Sequence, residues 1–251
     1  MDLNEKLTFR TMINSPIHIN AELEVVLVKK GSVNVLIGKE EFSLNENQIT
    51  VIPPYRLHGF EPSEDVDATV FMFPNSLAPE FFAMCKNREF SNKICTLKSS
   101  VMEYIKMAVN EYKKSGSRFY EKSILYALLA EFTNGNSFAQ MSFDVSNVSR
   151  IVEYIYANIQ NEISLKLLSA EFSVNETELN EMILKYTGLG FKDFIDRMRI
   201  GIAIGLLKRK EFNITEVAYE SGFETTRTFN RIFLKLVGCT PSEYKRKYKE
   251  T

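Results

Sequence analysis

What this sequence has little of narrows its reading first. It carries three cysteines, Cys85, Cys95 and Cys239. Their number is odd, their spacing is unpaired and no histidine lies nearby, so neither a disulfide framework nor a zinc finger is supported, and all three read as core thiols. No apolar run approaches bilayer length: residues 200–207 form the longest near any candidate span, against the roughly 20 residues needed. The first six residues, MDLNEK, are acidic where a secretory signal would be basic. The expectation is a cytoplasmic chain without membrane contact. No nucleophile stands with a base, no glycine loop cradles phosphate and no zinc-protease helix occurs, which points away from an enzyme.

An excess of one charge is also missing. With 31 Lys+Arg against 32 Asp+Glu the net charge is −1, which argues against a generic polyanion binder. The distribution is uneven, however. Residues 225–251 hold seven cations (Arg227, Arg231, Lys235, Lys245, Arg246, Lys247, Lys249) and two anions (Glu243, Glu250), so the positive field sits at the C-terminal end. A chain of 251 residues, 45% apolar and 25% charged, is ordinary globular protein with room for one large or two medium domains.

Residues 7–73 lack a helical period. Short β-branched or aromatic runs at 23–28, 33–37, 41–44, 49–52 and 66–73 are bounded by Gly, Asn, Pro and Asp, which predicts a small antiparallel barrel or sandwich. From 76 to 134 the period changes to helical, over 78–86, 97–113 and 119–132. Val101, Tyr104, Ile105, Ala108 and Tyr112 share one stripe; Ile124, Leu125, Leu128 and Leu129 share another. These helices either cover the barrel or pair with a second subunit. Residues 135–146 are polar and turn-rich, and read as a linker.

After an amphipathic helix over 148–159, one pattern occurs twice. Residues 213–237 read as two short helices: Asn213 and Glu216 form a capping box, Gly222 supplies the turn, and Phe229, Ile232, Phe233, Leu236 and Val237 form one buried stripe. Gly238 ends the second helix, and Thr240-Pro241-Ser242-Glu243 starts another with a capping hydroxyl. Fifty residues earlier, 164–172 and 175–187 repeat the pair, with Leu179, Met182, Ile183 and Tyr186 in the stripe, Lys185 matching Lys235 and Gly188 matching Gly238. Between the copies, 192–210 reads as one helix nearly 30 Å long at about 1.5 Å per residue. That separation suits consecutive major grooves on one face of B-DNA, which recur about every 34 Å.

Two resemblances attach to these residues. His18-Ile19-Asn20, then Glu24, then Gly31, followed by Pro53-x-Tyr55-x-x-His58, resembles the two cupin motifs. Metal-binding cupins carry a histidine where Asn20 stands. An amide oxygen is a weak replacement for imidazole, so no metal is expected. His18 and His58 then read as polar residues near a barrel mouth, or, with Glu24 and Tyr55, as part of a cavity for an organic effector.

The last hundred residues resemble the DNA-binding domain of AraC-family transcription regulators. The matching features are Arg197-Met-Arg199-Ile-x-x-Ala203-x-x-Leu206-Leu207, Ile214-x-x-Val217-Ala218-x-x-x-Gly222-Phe223, Phe229-x-Arg231-x-Phe233-x-Lys235 and Gly238-Cys-Thr-Pro241-Ser-Glu-Tyr244. The resemblance implies an α+β two-domain protein. Residues 1–75 would be a cupin-like β-barrel effector domain, 76–134 a helical section that dimerises or covers the barrel, 135–146 a linker, and 147–251 an all-α domain with two helix-turn-helix units joined by a long helix. It implies double-stranded DNA, RNA polymerase and a second copy of the chain as partners, an unidentified small-molecule effector, and no cofactor.

Carried over residue by residue, the second recognition helix keeps the family's chemistry. Arg227 and Arg231 would reach guanine or phosphate, Thr226 and Asn230 would read base edges or brace the backbone, and Lys235, Lys245 and Arg246 would add phosphate contacts. The first departs from it. Around Thr177 and Asn180 stand Glu176, Glu178 and Glu181, and Glu181 occupies the place of Arg231. A carboxylate can accept from cytosine N4, but beside phosphates it repels. The C-terminal unit is therefore expected to supply most of the DNA affinity. Two other readings stay open: a protein-interaction regulator with weak DNA binding of its own, and a cupin metalloenzyme with an appended binding module.

Overall fold

The apolar runs of the N-terminal half form strands: β1 (Thr8–Thr11), β2 (Ser15–His18), β3 (Leu23–Lys30), β4 (Val33–Ile37), β5 (Glu40–Leu44), β6 (Gln48–Ile52), β7 (His58–Pro62) and β8 (Asp67–Phe73). A 3-10 turn at Asn75–Leu77 leads into α1 (Pro79–Cys85), the short strands β9 (Arg88–Phe90) and β10 (Cys95–Thr96), α2 (Ser99–Ser115), α3 (Arg118–Asn134) and β11 (Phe138–Gln140). Seven helices follow: α4 (Phe143–Ala157), α5 (Leu165–Phe172), α6 (Glu176–Thr187), α7 (Phe191–Leu207), α8 (Ile214–Glu220), α9 (Thr226–Val237) and α10 (Pro241–Lys249). This computed structural model describes residues 7–11, 15–85, 88–134, 136–140, 143–209 and 211–249. They fall into two units, one drawn from residues 1–14, 21–56 and 60–142, the other from 15–20, 57–59 and 143–251. Among the described residues no helix is long and apolar enough to cross a membrane.

The first unit contains an antiparallel sheet in the order β1-β8-β3-β6-β10, and a second layer in which β4 pairs with β5; of β7, only residues 60–62 belong to this unit. β3 explains how its layers meet. Its first six residues are all buried, as expected of a strand covered on both faces. Leu23, Val25 and Leu27 share a core with Phe71 and Phe73 of β8 and with Ile105, Ala108, Ile124, Leu125, Leu128 and Phe132 of α2 and α3. Val26 and Val28, on the other face, pack with Val33, Val35, Ile37, Leu44, Phe60 and Val70. Helices α2 and α3 thus cover the outside of the sheet, one of the two roles left open for them.

Three details differ from expectation. Tyr104 is exposed, and the buried stripe of α2 is Met102, Ile105, Ala108 and Tyr112, because the helix turns its buried face slightly away from the predicted arc. Part of the expected linker is ordered: residues 138–140 form β11 beside β9, and α4 begins at Phe143 rather than 148. Gly135, Met141 and Ser142 of that linker lie outside the described residues. The long helix ends at Leu207, with Lys208 as its cap, which gives an axis of about 25 Å rather than 30 Å. Lys210, its expected end, also lies outside the described residues.

In the second unit, α7 packs against α6, α8 and α9. Ile200, Ala203, Ile204 and Leu207 of α7 share a core with Val217, Ala218, Phe223, Phe229, Ile232, Phe233 and Tyr244. The rings of Phe223, Phe229, Phe233 and Tyr244 run in sequence with centroids 5.3, 5.5 and 5.6 Å apart. Each such ring, when fully buried, contributes about 1.5–3 kcal/mol, so this chain of contacts is the main clamp on α9. Strand β2 also belongs to this unit and lies along α7. Arg197 Nη1 donates to the Ile17 carbonyl at 3.0 Å, and the carbonyl oxygen of Ile19 lies 2.2 Å from the point a Cβ on Gly201 would occupy.

Candidate nucleic-acid interface

Caps set the ends of the two outward-facing helices. In the C-terminal copy, Asn213 Oδ1 accepts from Glu216 N at 2.9 Å while the Glu216 carboxylate accepts from Asn213 N at 2.7 Å, the reciprocal box that the sequence predicted. Gly222 takes φ = 86° and turns the chain toward α9, whose cap Thr225 accepts from Thr228 N at 3.2 Å. Gly238 ends α9 at φ = 81°, and Thr240 and Glu243 cap α10 reciprocally. The N-terminal copy uses Ser164 and Asn175 as caps, Ser173 at φ = 54° in its turn and Gly188 at φ = 75° at its end. A non-glycine residue in the left-handed region is uncommon, and Ser173 stands one residue past the place where Gly222 would superimpose in the fifty-residue offset, which is Phe172.

The apolar stripe of α9 turns Phe229, Ile232 and Phe233 inward, which leaves Arg227, Asn230, Arg231 and Lys235 exposed on one face and Thr226 half-buried at its start. In α6, Leu179 and Ile183 are buried. Thr177 and Glu181 are exposed and Asn180 is half-buried, with Glu176 and Glu178 exposed in the first turn. Both glutamates sit at the helix N-terminus, where a negative charge is favourable, and Asn175 Nδ2 donates to Glu178 at 3.1 Å. The residues assigned to DNA from the sequence thus share one outward face on each helix. Charge separates the copies: cationic at 227 and 231, neutral and anionic at 177 and 181.

The start of α7 adds a feature that sequence reading did not find. Asp193 Oδ1 lies 3.9 Å from Lys235 Nζ, with both side chains more than half exposed. Asp196, one turn on, is half-buried. Burial raises its carboxyl above the ordinary value, against the opposing pull of Arg199, Lys192 and Arg231. Arg199 packs its guanidinium 5.8 Å from the Phe223 ring centroid, and burial pulls its pKa down while Asp196 and Glu224 hold it up. Carboxylates of the connecting helix therefore lie within reach of the cations that face outward. No local sequence pattern signals this, because it depends on how α7 crosses α9.

Two cations expected at the interface are placed differently. Lys245 donates to the carbonyl of Phe212, which ties α10 to the segment before α8, while Arg246 is exposed. The side chains of Lys247 and Lys249 lie outside the described residues.

The residues read as an effector site divide between the units. His18 and His58, in the second unit, are both buried, with ring centroids 4.4 Å apart and planes inclined at 57°. His18 Nδ1 lies 2.8 Å from the Pro16 carbonyl, and since a carbonyl only accepts, that nitrogen carries the proton. Glu24, in the first unit, is fully buried on the face of β3 that also bears Val26 and Val28. Tyr55 takes φ = 61°, the left-handed conformation for which the cupin motif has glycine at this place.

Comparison with known proteins bears on both halves. A helix-turn-helix domain family matches residues 168–247, and the AraC-like ligand binding domain family matches residues 13–129. Across 83% of this chain and 86% of its own length, a protein of Photobacterium leiognathi named as a probable transcriptional regulator, LumQ, is 23% identical. Histidine kinase P4 of Formosa agariphila is 28% identical over 61% of this chain, which spans only 12% of that protein's length. Among solved structures, ToxT from Vibrio cholerae, bound to (E)-4-(8-methylnaphthalen-1-yl)but-3-enoic acid, is similar with a TM-score of 0.69 at 16% identity, over 96% of this chain and 97% of that one. At that identity the likeness concerns the fold.

Proposed function

Because the chain belongs to the AraC family of transcription regulators and carries that family's DNA-binding module, we propose that it reads its operator unequally, with α9 supplying most of the affinity and α6 a smaller, sequence-selective share. The contrast between Arg227 and Arg231 on one helix and Thr177 and Glu181 on the other carries this reading. Each cation that neutralises a phosphate releases a counterion, and an anion at the matching place reverses that gain. Thr226, Asn230 and Lys235 complete the set on α9, and Arg246 adds a phosphate contact. Lys245 acts through its bond to the Phe212 carbonyl, holding α10 in place.

The N-terminal half, matched to a ligand-binding family, takes a small organic effector. ToxT has been solved bound to a substituted butenoic acid and to an unsaturated fatty acid, so fatty and aromatic acids are the first classes to screen, with sugars beside them. Binding at 100 times the dissociation constant stabilises a protein by about 2.7 kcal/mol, enough to read as a thermal shift. His18, Glu24, Tyr55 and His58 are the side chains whose replacement should alter that shift. The regulator works as a homodimer and acts on RNA polymerase.

A mobility shift on the protein's own upstream region, repeated across a salt series, tests the DNA reading. Affinity that falls steeply with salt supports it; a slope near zero leaves the reading favoured by the acidic face of α6, a regulator that acts through protein contacts.

A further inference from the structure

The outward faces of α6 and α9 each hold an apolar residue in the middle of a polar arc. At about 100° per residue, Leu234 projects roughly 20° from Arg227, between Asn230 and Arg231. It is 49% exposed, and Leu184, at the same place in the earlier copy, is 47% exposed. One exposed leucine on a surface calls for no explanation. Here the two helices differ at 177/227 and 181/231, yet both keep asparagine at 180/230, leucine at 184/234 and lysine at 185/235.

Resting on the assignment of these faces to DNA, we propose that Leu184 and Leu234 are specificity-determining residues that each close on the C5-methyl group of a thymine in the major groove. The flanking cations of α9 fit a polyanion. A leucine among them can neither donate nor accept a hydrogen bond. The one apolar feature that base pairs display in the major groove is the thymine methyl. Asn180 and Asn230, one turn before each leucine, have the donor and acceptor that adenine N7 and N6 require. The operator then contains two sub-sites that share an A·T element and differ beside it. The arginines of α9 favour guanine in one, and Glu181 accepts from cytosine in the other.

The test uses the full chain and a duplex selected by it from a random library. Each thymine is replaced in turn by deoxyuridine, which removes only the methyl. The wild type should lose about fourfold in affinity at one thymine in each sub-site, the worth of one buried carbon. Leu234→Ala should abolish that penalty in one sub-site and Leu184→Ala in the other, about one helical turn away. Both sites are exposed and alanine favours helix, so the variants fold. Penalties that survive in both variants, or no penalty with binding intact, overturn the methyl contact while DNA reading stands; the leucines then face a protein partner or solvent. Failure to select any sequence overturns the DNA reading and this inference with it.

Discussion

The carbonyl oxygen of Ile159 lies 2.2 Å from the position a Cβ on Gly222 would take. Gly222 also has φ = 86°, so both space and backbone conformation demand glycine at the turn between α8 and α9. Gly222→Ala should cost about 2–4 kcal/mol, left-handed strain plus the displacement of a backbone carbonyl. Denaturant unfolding of the variant measures this, and an unchanged midpoint would contradict the packing.

Two glycines of α7 should respond with opposite sign. At Gly201 an added Cβ would meet the Ile19 carbonyl at 2.2 Å, whereas at Gly205 it meets nothing within 4 Å. Gly205→Ala should therefore stabilise by about 0.5–1 kcal/mol, the ordinary helical gain. Gly201→Ala should destabilise and release β2 from α7, seen as faster amide exchange over residues 15–20.

Asp193 lies 3.9 Å from Lys235 with both groups exposed. Such a pair adds at most about 1 kcal/mol to stability, so Asp193→Asn should leave the melting temperature nearly unchanged. Its effect should appear on DNA instead. Removing one anion beside phosphates should raise affinity about two- to threefold at low salt, and the gain should shrink as salt screens it.

Burial pushes the Cys85 thiol up to about 12, with Arg56 opposing. The thiolate is the reactive form, so iodoacetamide at pH 8 should leave Cys85 unmodified in the folded protein and alkylate it in denaturant, as mass spectrometry would show. The stability linkage has a definite sign. The unfolded thiol, with its ordinary value of 9.0, loses its proton first, so this group's contribution is complete below pH 9 and is lost as pH rises toward 12.

Much of this fold is legible in the sequence because its signals are local. Asn213 with Glu216, Thr240 with Glu243, and glycines at 222 and 238 act within a few residues of themselves, and all four features stand as the sequence predicts. The five expected strands form for the same reason. Six strands, β1, β2, β7, β9, β10 and β11, are not expected from the sequence; β7 contains Gly59 and ends at Pro62, which masks its pattern. Lys245, by contrast, looks like one more surface cation until its bond to Phe212, 33 residues away, is seen. Asp193 beside Lys235 and Ile159 beside Gly222 are likewise meetings between distant segments. Gly201 did leave a trace, since a glycine inside a helix often marks a close approach, but its partner strand could not be named from sequence.

Unequal reading by α9 and α6 is tested most directly by the affinity of Arg231→Ala and of Glu181→Ala for the selected duplex, measured by fluorescence anisotropy at fixed salt. Arg231→Ala should bind at least about tenfold more weakly, in line with the 1–3 kcal/mol of a bidentate base contact, while Glu181→Ala should bind as tightly as the wild type or more so. Equal losses in the two variants would contradict an operator read chiefly by α9.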